Sequence, residues 1–135
     1  MELIINTDGA SRGNPGPASY GFIIKTKDGL ILHQEGQKIG EDTNNVAEYT
    51  GALKAFEYVR DYLSKKGPHK IRFQADSQLV IRQLAGIYKI KNPRLKIIYQ
   101  KIVAILPELG EVEFHHVPRA ENFIPDRLAN QALDS

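Results

Sequence analysis

The chain has 135 residues and a mass of 15.2 kDa, which suits one domain with one core, since 41% of it is apolar and 25% charged. It has no cysteine, which excludes disulfides, zinc–thiolate centres and thiol nucleophiles and fits a reducing, cytoplasmic setting. No apolar run approaches the ~20 residues needed to cross a bilayer, and the N-terminus lacks a signal-peptide pattern. The expectation is a monomer with no membrane role.

The elements follow from local pattern. Glu2–Thr7 alternates and reads as a strand. Gly9–Ser19 (GASRGNPGPAS) is rich in turn formers and reads as a long turn. Tyr20–Thr26 and Leu30–Gly36 flank Lys27-Asp28-Gly29, a hairpin signal, so the first third is a three-stranded antiparallel meander. Thr43 is placed as an N-cap, and Val46, Tyr49, Leu53, Phe56, Val59 and Leu63 recur at helical steps up to Gly67-Pro68. Lys70–Ala75 is a strand, and Ser77–Leu84 and Pro93–Leu106 are helices. Val112–Val117 is a strand and Pro125–Leu133 a last helix, with Pro early, where its missing N–H costs little. His115 and His116 must face opposite sides of their strand, one buried and one exposed, and are not expected to be adjacent metal ligands.

This order, β-β-β-α-β-α-α-β-α, implies an α/β fold. Strands 1–3 run antiparallel, strands 1, 4 and 5 pair in parallel through helical crossovers, and the sheet is mixed and five-stranded. Ligand chemistry in such sheets gathers near the carboxyl ends of the parallel strands.

Four carboxylates stand at element boundaries. Asp8 closes the first strand, Glu48 lies one turn into the long helix, Asp76 links a strand to a helix, and Asp126 opens the last helix. Each has an ordinary account: turn formation for Asp8, capping for Asp76, and compensation of the helix dipole for Glu48 and Asp126. Together they describe something else. Carboxylates converging on one point repel unless divalent cations neutralise them, and oxygen-only sites favour Mg²⁺ or Mn²⁺. Two such ions about 3.5–4 Å apart are the usual device for in-line displacement at phosphorus.

Net charge is only +2, but it is unevenly spread. From Ser77 to Pro107 the charged residues are Arg82, Lys89, Lys91, Arg94, Lys96 and Lys101, all cations. Such a segment is either a solvated helix face or a surface for a polyanion. Beside the carboxylates, nucleic acid is the better reading.

The segments TDGASRGNPGPASYGFII (Thr7–Ile24), TNNVAEYTGALKAF (Thr43–Phe56), ADSQLVIRQL (Ala75–Leu84) and HVPRAENFIPDRLANQAL (His116–Leu133) resemble, in order, the four motifs of type 1 ribonuclease H. The resemblance runs through nearly the whole chain and implies one ribonuclease H domain over residues 1–135 with helices on both sheet faces. It also implies an endonuclease that cuts the RNA strand of RNA–DNA hybrids, leaving 5′-phosphate and 3′-hydroxyl ends. Carried over by position, Asp8 bridges two Mg²⁺ ions, for which Mn²⁺ can substitute. Asp126 completes the site of the attacking water, and Glu48 with Asp76 forms the site beside the leaving oxygen. The same carry-over places Gly9, Asn14, Asn44, Asn45 and Gln78 along the nucleic-acid groove and Thr43 at a DNA phosphate. Amides and a glycine N–H can recognise the 2′-hydroxyl that distinguishes RNA from DNA.

Two departures from the family pattern matter. The loop Pro118–Pro125 has no histidine, so Arg119 takes the product-releasing role expected there. The long basic insertion of larger members is missing, so Lys89, Lys91, Arg94 and Lys96 inherit its grip on the hybrid, with steep salt dependence expected. Short forms of this kind bring double-stranded RNA within the expected substrates. The competing readings are a non-catalytic hybrid-binding module of the same fold and a DNA-directed relative such as an integrase or junction resolvase.

Overall fold

The structure, a computed structural model, describes residues 1–135 apart from the side chain of Lys66. Strands β1 (Glu2–Ser11), β2 (Gly16–Thr26) and β3 (Ile31–Asp42) are followed by helix α1 (Asn44–Tyr58), strand β4 (His69–Ala75) and helices α2 (Gln78–Leu84) and α3 (Pro93–Leu109). Strand β5 (Gly110–His116) and helix α4 (Phe123–Asp134) complete the chain. The sheet order is β3-β2-β1-β4-β5, with β1 antiparallel to β2, β2 antiparallel to β3, and β1, β4 and β5 parallel. This is the expected mixed sheet.

Its two faces differ. Residues directly opposed in an antiparallel ladder share a face. Gly9 opposes Tyr20 and faces α1, whereas Asp8 opposes Gly21 and faces α4. The α1 face is apolar. Leu3, Ile5, Phe22, Ile24, Ile71 and Phe73 meet Tyr49, Phe56 and Val59 of the long helix, all essentially buried. The Phe56 and Phe73 rings lie 5.1 Å apart, and each fully buried side chain of this size contributes roughly 1.5–3 kcal/mol. Ile102, Ile105 and Leu109 of α3 close the same core. The α4 face is more polar, carrying Asn6, Asp8 and Ser19, all buried.

Several predicted boundaries move, each for a local reason. The supposed long turn at Gly9–Ser19 is mostly strand, because β1 and β2 pair as far as Ser11↔Ala18 and only residues 12–15 form the loop. Gly9 is there for contact rather than for a turn, since a Cβ on it would lie 2.4 Å from the Glu48 backbone nitrogen. Strand β3 runs on to Asp42 instead of ending at Gly36, because Gly36 lies beneath α4, where a Cβ would stand 2.2 Å from the Leu128 carbonyl oxygen. The hairpin at Asp28-Gly29 is where it was expected, with Gly29 at φ 95°. Helix α1 keeps its stripe but widens into a π turn over Val59–Leu63. Helix α3 passes Pro107 and ends at Leu109, and β5 begins at once at Gly110. There a φ of 111° and the His69 backbone 2.2 Å from any Cβ leave room for glycine alone. Helix α4 starts two residues early, at Phe123, and Pro125 sits in a first turn whose N–H groups lack helical partners anyway.

The two histidines correct an expectation. His115 is half-buried and His116 exposed, so neither is a core residue. Their strand is an edge strand, and its second face is not covered by a helix as the first is.

Candidate active site

Asp8, Glu48, Asp76, Arg119 and Asp126 line one cleft of about 450 Å³ together with Gly9, Ala10, Ser11, Asn44, Ser77 and Asn130. The cleft opens where the parallel pairing of β1 with β4 stops, just past Asn6↔Gln74; Asp76 directly follows β4 as expected, whereas Asp8 lies within β1, which runs on to Ser11, and does not close it. Acids from four separate sequence segments are thus brought to one place.

Glycines draw the elements in. The absent side chain of Gly9 lets α1 lie against β1 and carries Glu48 toward Asp8. A Cβ on Gly21 would stand 2.2 Å from the Pro125 carbonyl oxygen, so glycine there lets the start of α4, with Asp126, rest on the sheet. The buried Ser19 hydroxyl donates to the Ala129 carbonyl oxygen at 2.5 Å and fixes the same helix.

The capping question at Asp76 is resolved by its neighbour. Ser77 Oγ accepts from the Val80 N–H and caps α2, which leaves the Asp76 carboxylate available to the cleft. Glu48 Oε1 accepts from Asn44 Nδ2 at 3.0 Å, and the Ser77 hydroxyl also bonds to this carboxyl. Asp8 Oδ1 accepts from the Gly9 N–H at 2.9 Å. The N–H expected to meet a 2′-hydroxyl is therefore engaged by the neighbouring carboxylate. Asn130 Nδ2 reaches Asp126 Oδ1 at 3.3 Å, and an Arg119 nitrogen lies 4.0 Å from the same oxygen.

The electrostatics express crowding. Asp8 is 8% exposed, and its carboxyl is pushed up to about 8, first by burial, then by the charges of Asp76 and Glu48 and by contact with the Asp126 carboxyl. Glu48 is pushed up to about 7, first by burial and then by Asp76, against the opposing pull of its bonds to Ser77 and Asn44. Carboxylates forced this far up are short of positive charge. An all-oxygen donor set with that deficit fits a hard divalent cation. Among the described residues, however, no three histidine or carboxylate side chains close tightly enough to enclose an ion.

The expected groove residues divide into four groups. Asn14 Oδ1 accepts from the Asn44 N–H at 3.1 Å, tying the β1–β2 loop to the start of α1. Thr43 caps α1 by accepting from the Val46 N–H, and its own N–H is held by Asp42. Asn45 and Gln78 are exposed at helix starts, and Lys89 and Lys91 on the loop before α3 and Lys96 in its first turn are exposed too, with Lys89 and Lys96 beside Tyr88 and Tyr99. Arg94 differs from these lysines. It donates to the buried Asp42 at 2.5 Å and holds that carboxyl below the usual range, so it braces the Thr43 turn rather than standing as a free cation. Ser77 and Asn130 were missed as cleft residues. The i, i+4 spacing of Asp126 and Asn130 on a helix was the available signal.

The Reverse transcriptase-like family matches residues 6–132. Ribonuclease HI of Halobacterium salinarum is 42% identical over 127 residues, covering 94% of this chain and 62% of that protein. Bifunctional protein Rv2228c of Mycobacterium tuberculosis is 40% identical over 136 residues, covering all of this chain but 36% of that protein. The chain thus spans little more than a third of the length of that relative. The crystal structure of LC11-RNase H1 in complex with an RNA/DNA hybrid superposes with a TM-score of 0.93 at 41% identity, covering 98% of this chain and 96% of that one.

Proposed function

The chain belongs to the type 1 ribonuclease H family, and on that premise we propose that it hydrolyses the RNA strand of RNA–DNA hybrids with the aid of two divalent metal ions. The observation that carries this reading is the cleft of four carboxylates, two of them raised by burial and mutual repulsion. Asp8, Glu48, Asp76 and Asp126 would hold the ions, Mg²⁺ or Mn²⁺. Such ions lower the pKa of an attacking water and stabilise a departing 3′-oxyanion.

The chain's own residues do the positioning. Asp8 stands between the other acids, fixed by the Gly9 N–H. Asn44 and Ser77 orient the Glu48 carboxyl, and Asn130 orients Asp126. Phosphoryl transfer needs alignment and charge neutralisation more than covalent chemistry, so no side-chain nucleophile is required. Arg119, 82% exposed and 4.0 Å from Asp126, would swing between that carboxylate and a product phosphate. Asn44, which lines the cleft, and Asn14, which is bonded to its N–H, are candidates for the RNA strand together with the exposed Asn45 and Gln78, and Thr43 for a DNA phosphate.

The short basic segment favours double-stranded RNA as a second, weaker substrate. The test is competition among hybrid, duplex RNA and duplex DNA of one sequence, with end-group analysis of the products. Hybrid cut first, leaving 5′-phosphate and 3′-hydroxyl ends on RNA fragments, supports the reading. Preferential cutting of DNA would replace it with a DNA-directed activity, and hybrid binding without turnover would make the protein a binding module.

A further inference from the structure

Asn122 occupies the position before α4 where an asparagine ordinarily caps a helix, yet its side chain makes no cap bond. It turns inward instead. Its Nδ2 donates to the Thr7 carbonyl oxygen at 2.9 Å, and its Oδ1 accepts from Asn6 Nδ2 at 3.0 Å. Asn122 is 1% exposed and Asn6 5%, so both amides sit in surroundings where a lost partner is costly. The bonds join segments 116 residues apart in sequence. Each end lies beside a cleft acid: Asn6 shares a sheet face with Asp8 two residues on, and Asn122 stands one helical turn before Asp126. Apart from the contact between the Asp8 and Asp126 carboxyls themselves, no other side-chain bond links β1 to the start of α4 among the described residues.

We propose that the Asn6–Asn122 pair is a positioning device that sets the separation of Asp8 and Asp126 and thereby the affinity of the cleft for its cation. The inference rests on the metal reading given above and adds to it residues that touch neither ion nor substrate. The geometry separates it from simple packing. Gly21 and Ser19 seat α4 on β2, which carries neither acid, whereas the amide pair ties the turn before Asp126 directly to β1, the strand that carries Asp8. Hydrogen-bonded partners that orient metal ligands commonly change affinity by about 10–100-fold when removed.

The test uses Asn6→Leu, which matches the shape of the asparagine and leaves the Asn122–Thr7 bond in place. Mn²⁺ binding is read by calorimetry on the protein without nucleic acid, beside the melting temperature and the Mg²⁺ dependence of hybrid cleavage. The expected result is Mn²⁺ affinity weakened about tenfold, a Mg²⁺ midpoint shifted upward by a similar factor, and cleavage at saturating cation within about twofold of wild type. Asn6→Gln, which keeps the amide donor beside an open groove lined by Arg72, Gln74 and Phe123, restores most of the affinity. Unchanged Mn²⁺ affinity in Asn6→Leu, with only the melting temperature altered, overturns the proposal and leaves the metal reading intact. Failure of the wild type to bind Mn²⁺ overturns both.

Discussion

The carboxylate cleft and the basic segment after α2 are built in opposite ways. In the cleft, Asp8 is nearly buried, helices touch the sheet through Gly9, Gly21 and Gly36, and each of three acids has a fixed hydrogen-bond donor. In the basic segment, Lys89, Lys91 and Lys96 are exposed on a loop and a helix start. The contrast follows from the work assigned to each. Chemistry at phosphorus depends on placement to a fraction of an ångström, whereas attraction of a polyanion depends on charge and reach. A substitution in the cleft should therefore alter turnover or folding, and one in the basic segment should alter affinity and its response to salt.

The largest effect is expected at Asp8. Asp8→Asn should lower cleavage roughly a thousandfold, since it removes the central charge of the cleft. The same change should stabilise the metal-free protein at alkaline pH. The Asp8 carboxyl is raised to about 8 in the fold, so the folded state binds more protons than the unfolded state above pH 4. Stability from this group is complete below about pH 4 and is lost as pH rises through 8; Glu48, raised to about 7, adds the same trend. Thermal melts in EDTA should thus fall between pH 5 and 8 for the wild type and fall less for Asp8→Asn. At pH 8 the mutant should gain about 2 kcal/mol, or roughly 5–10 °C. Added Mg²⁺ should erase the difference by stabilising only the wild type. A wild-type melting curve that ignores both pH and Mg²⁺ would remove the contrast between the two regions.

Gly21→Ala comes next. Its Cβ would meet the Pro125 carbonyl oxygen at 2.2 Å and the Ala129 nitrogen at 2.8 Å, both backbone atoms that cannot rotate away. A loss of about 2–3 kcal/mol is expected in denaturant unfolding, with cleavage reduced in the molecules that remain folded because Asp126 moves with the helix. A neutral outcome would show that α4 is held less closely than the contacts indicate.

The double change Lys89→Ala, Lys91→Ala belongs to the other region. It should raise KM several-fold, leave kcat near wild type and lower the slope of log K against log salt by about 2. A fall in kcat at saturating hybrid would place these lysines in the chemistry. Arg94→Ala should be the mildest in its effect on the salt slope, because its guanidinium is already committed to Asp42. Asp42 is depressed in the fold by that bond, so whatever stability the pair gives is present near neutrality and fades as pH falls through the acidic range. A salt slope reduced as much by Arg94→Ala as by a lysine change would contradict the division drawn here.

Strand order and the four acids were legible because they rest on period, punctuation and boundary chemistry. Leu3, Ile5 and the Val46–Leu63 stripe state their faces in local sequence, and Asp76 just past β4, with Glu48 and Asp126 in or near the first turns of their helices, stand close to element boundaries, while Asp8 falls inside β1. Glycines at 9 and 36 misled, since a glycine needed for contact and one needed for a turn look alike in a sequence. Only the α1 and α4 backbones, distant in the chain, reveal which is which. Arg94 was grouped with the free cations because its partner Asp42 lies 52 residues away. The Asn6–Asn122 bond gives no local signal at all, for each asparagine has an ordinary role in its own segment.

The most direct test of the central claim is cleavage of an RNA–DNA hybrid labelled on each strand in turn, in Mg²⁺, Mn²⁺ or EDTA, by wild type and by Asp76→Asn of matched circular dichroism. The account predicts cutting of the RNA strand only, in either metal but not in EDTA, and none by the mutant. Cutting by a folded Asp76→Asn protein at the wild-type rate, or cutting that persists in EDTA, would contradict it.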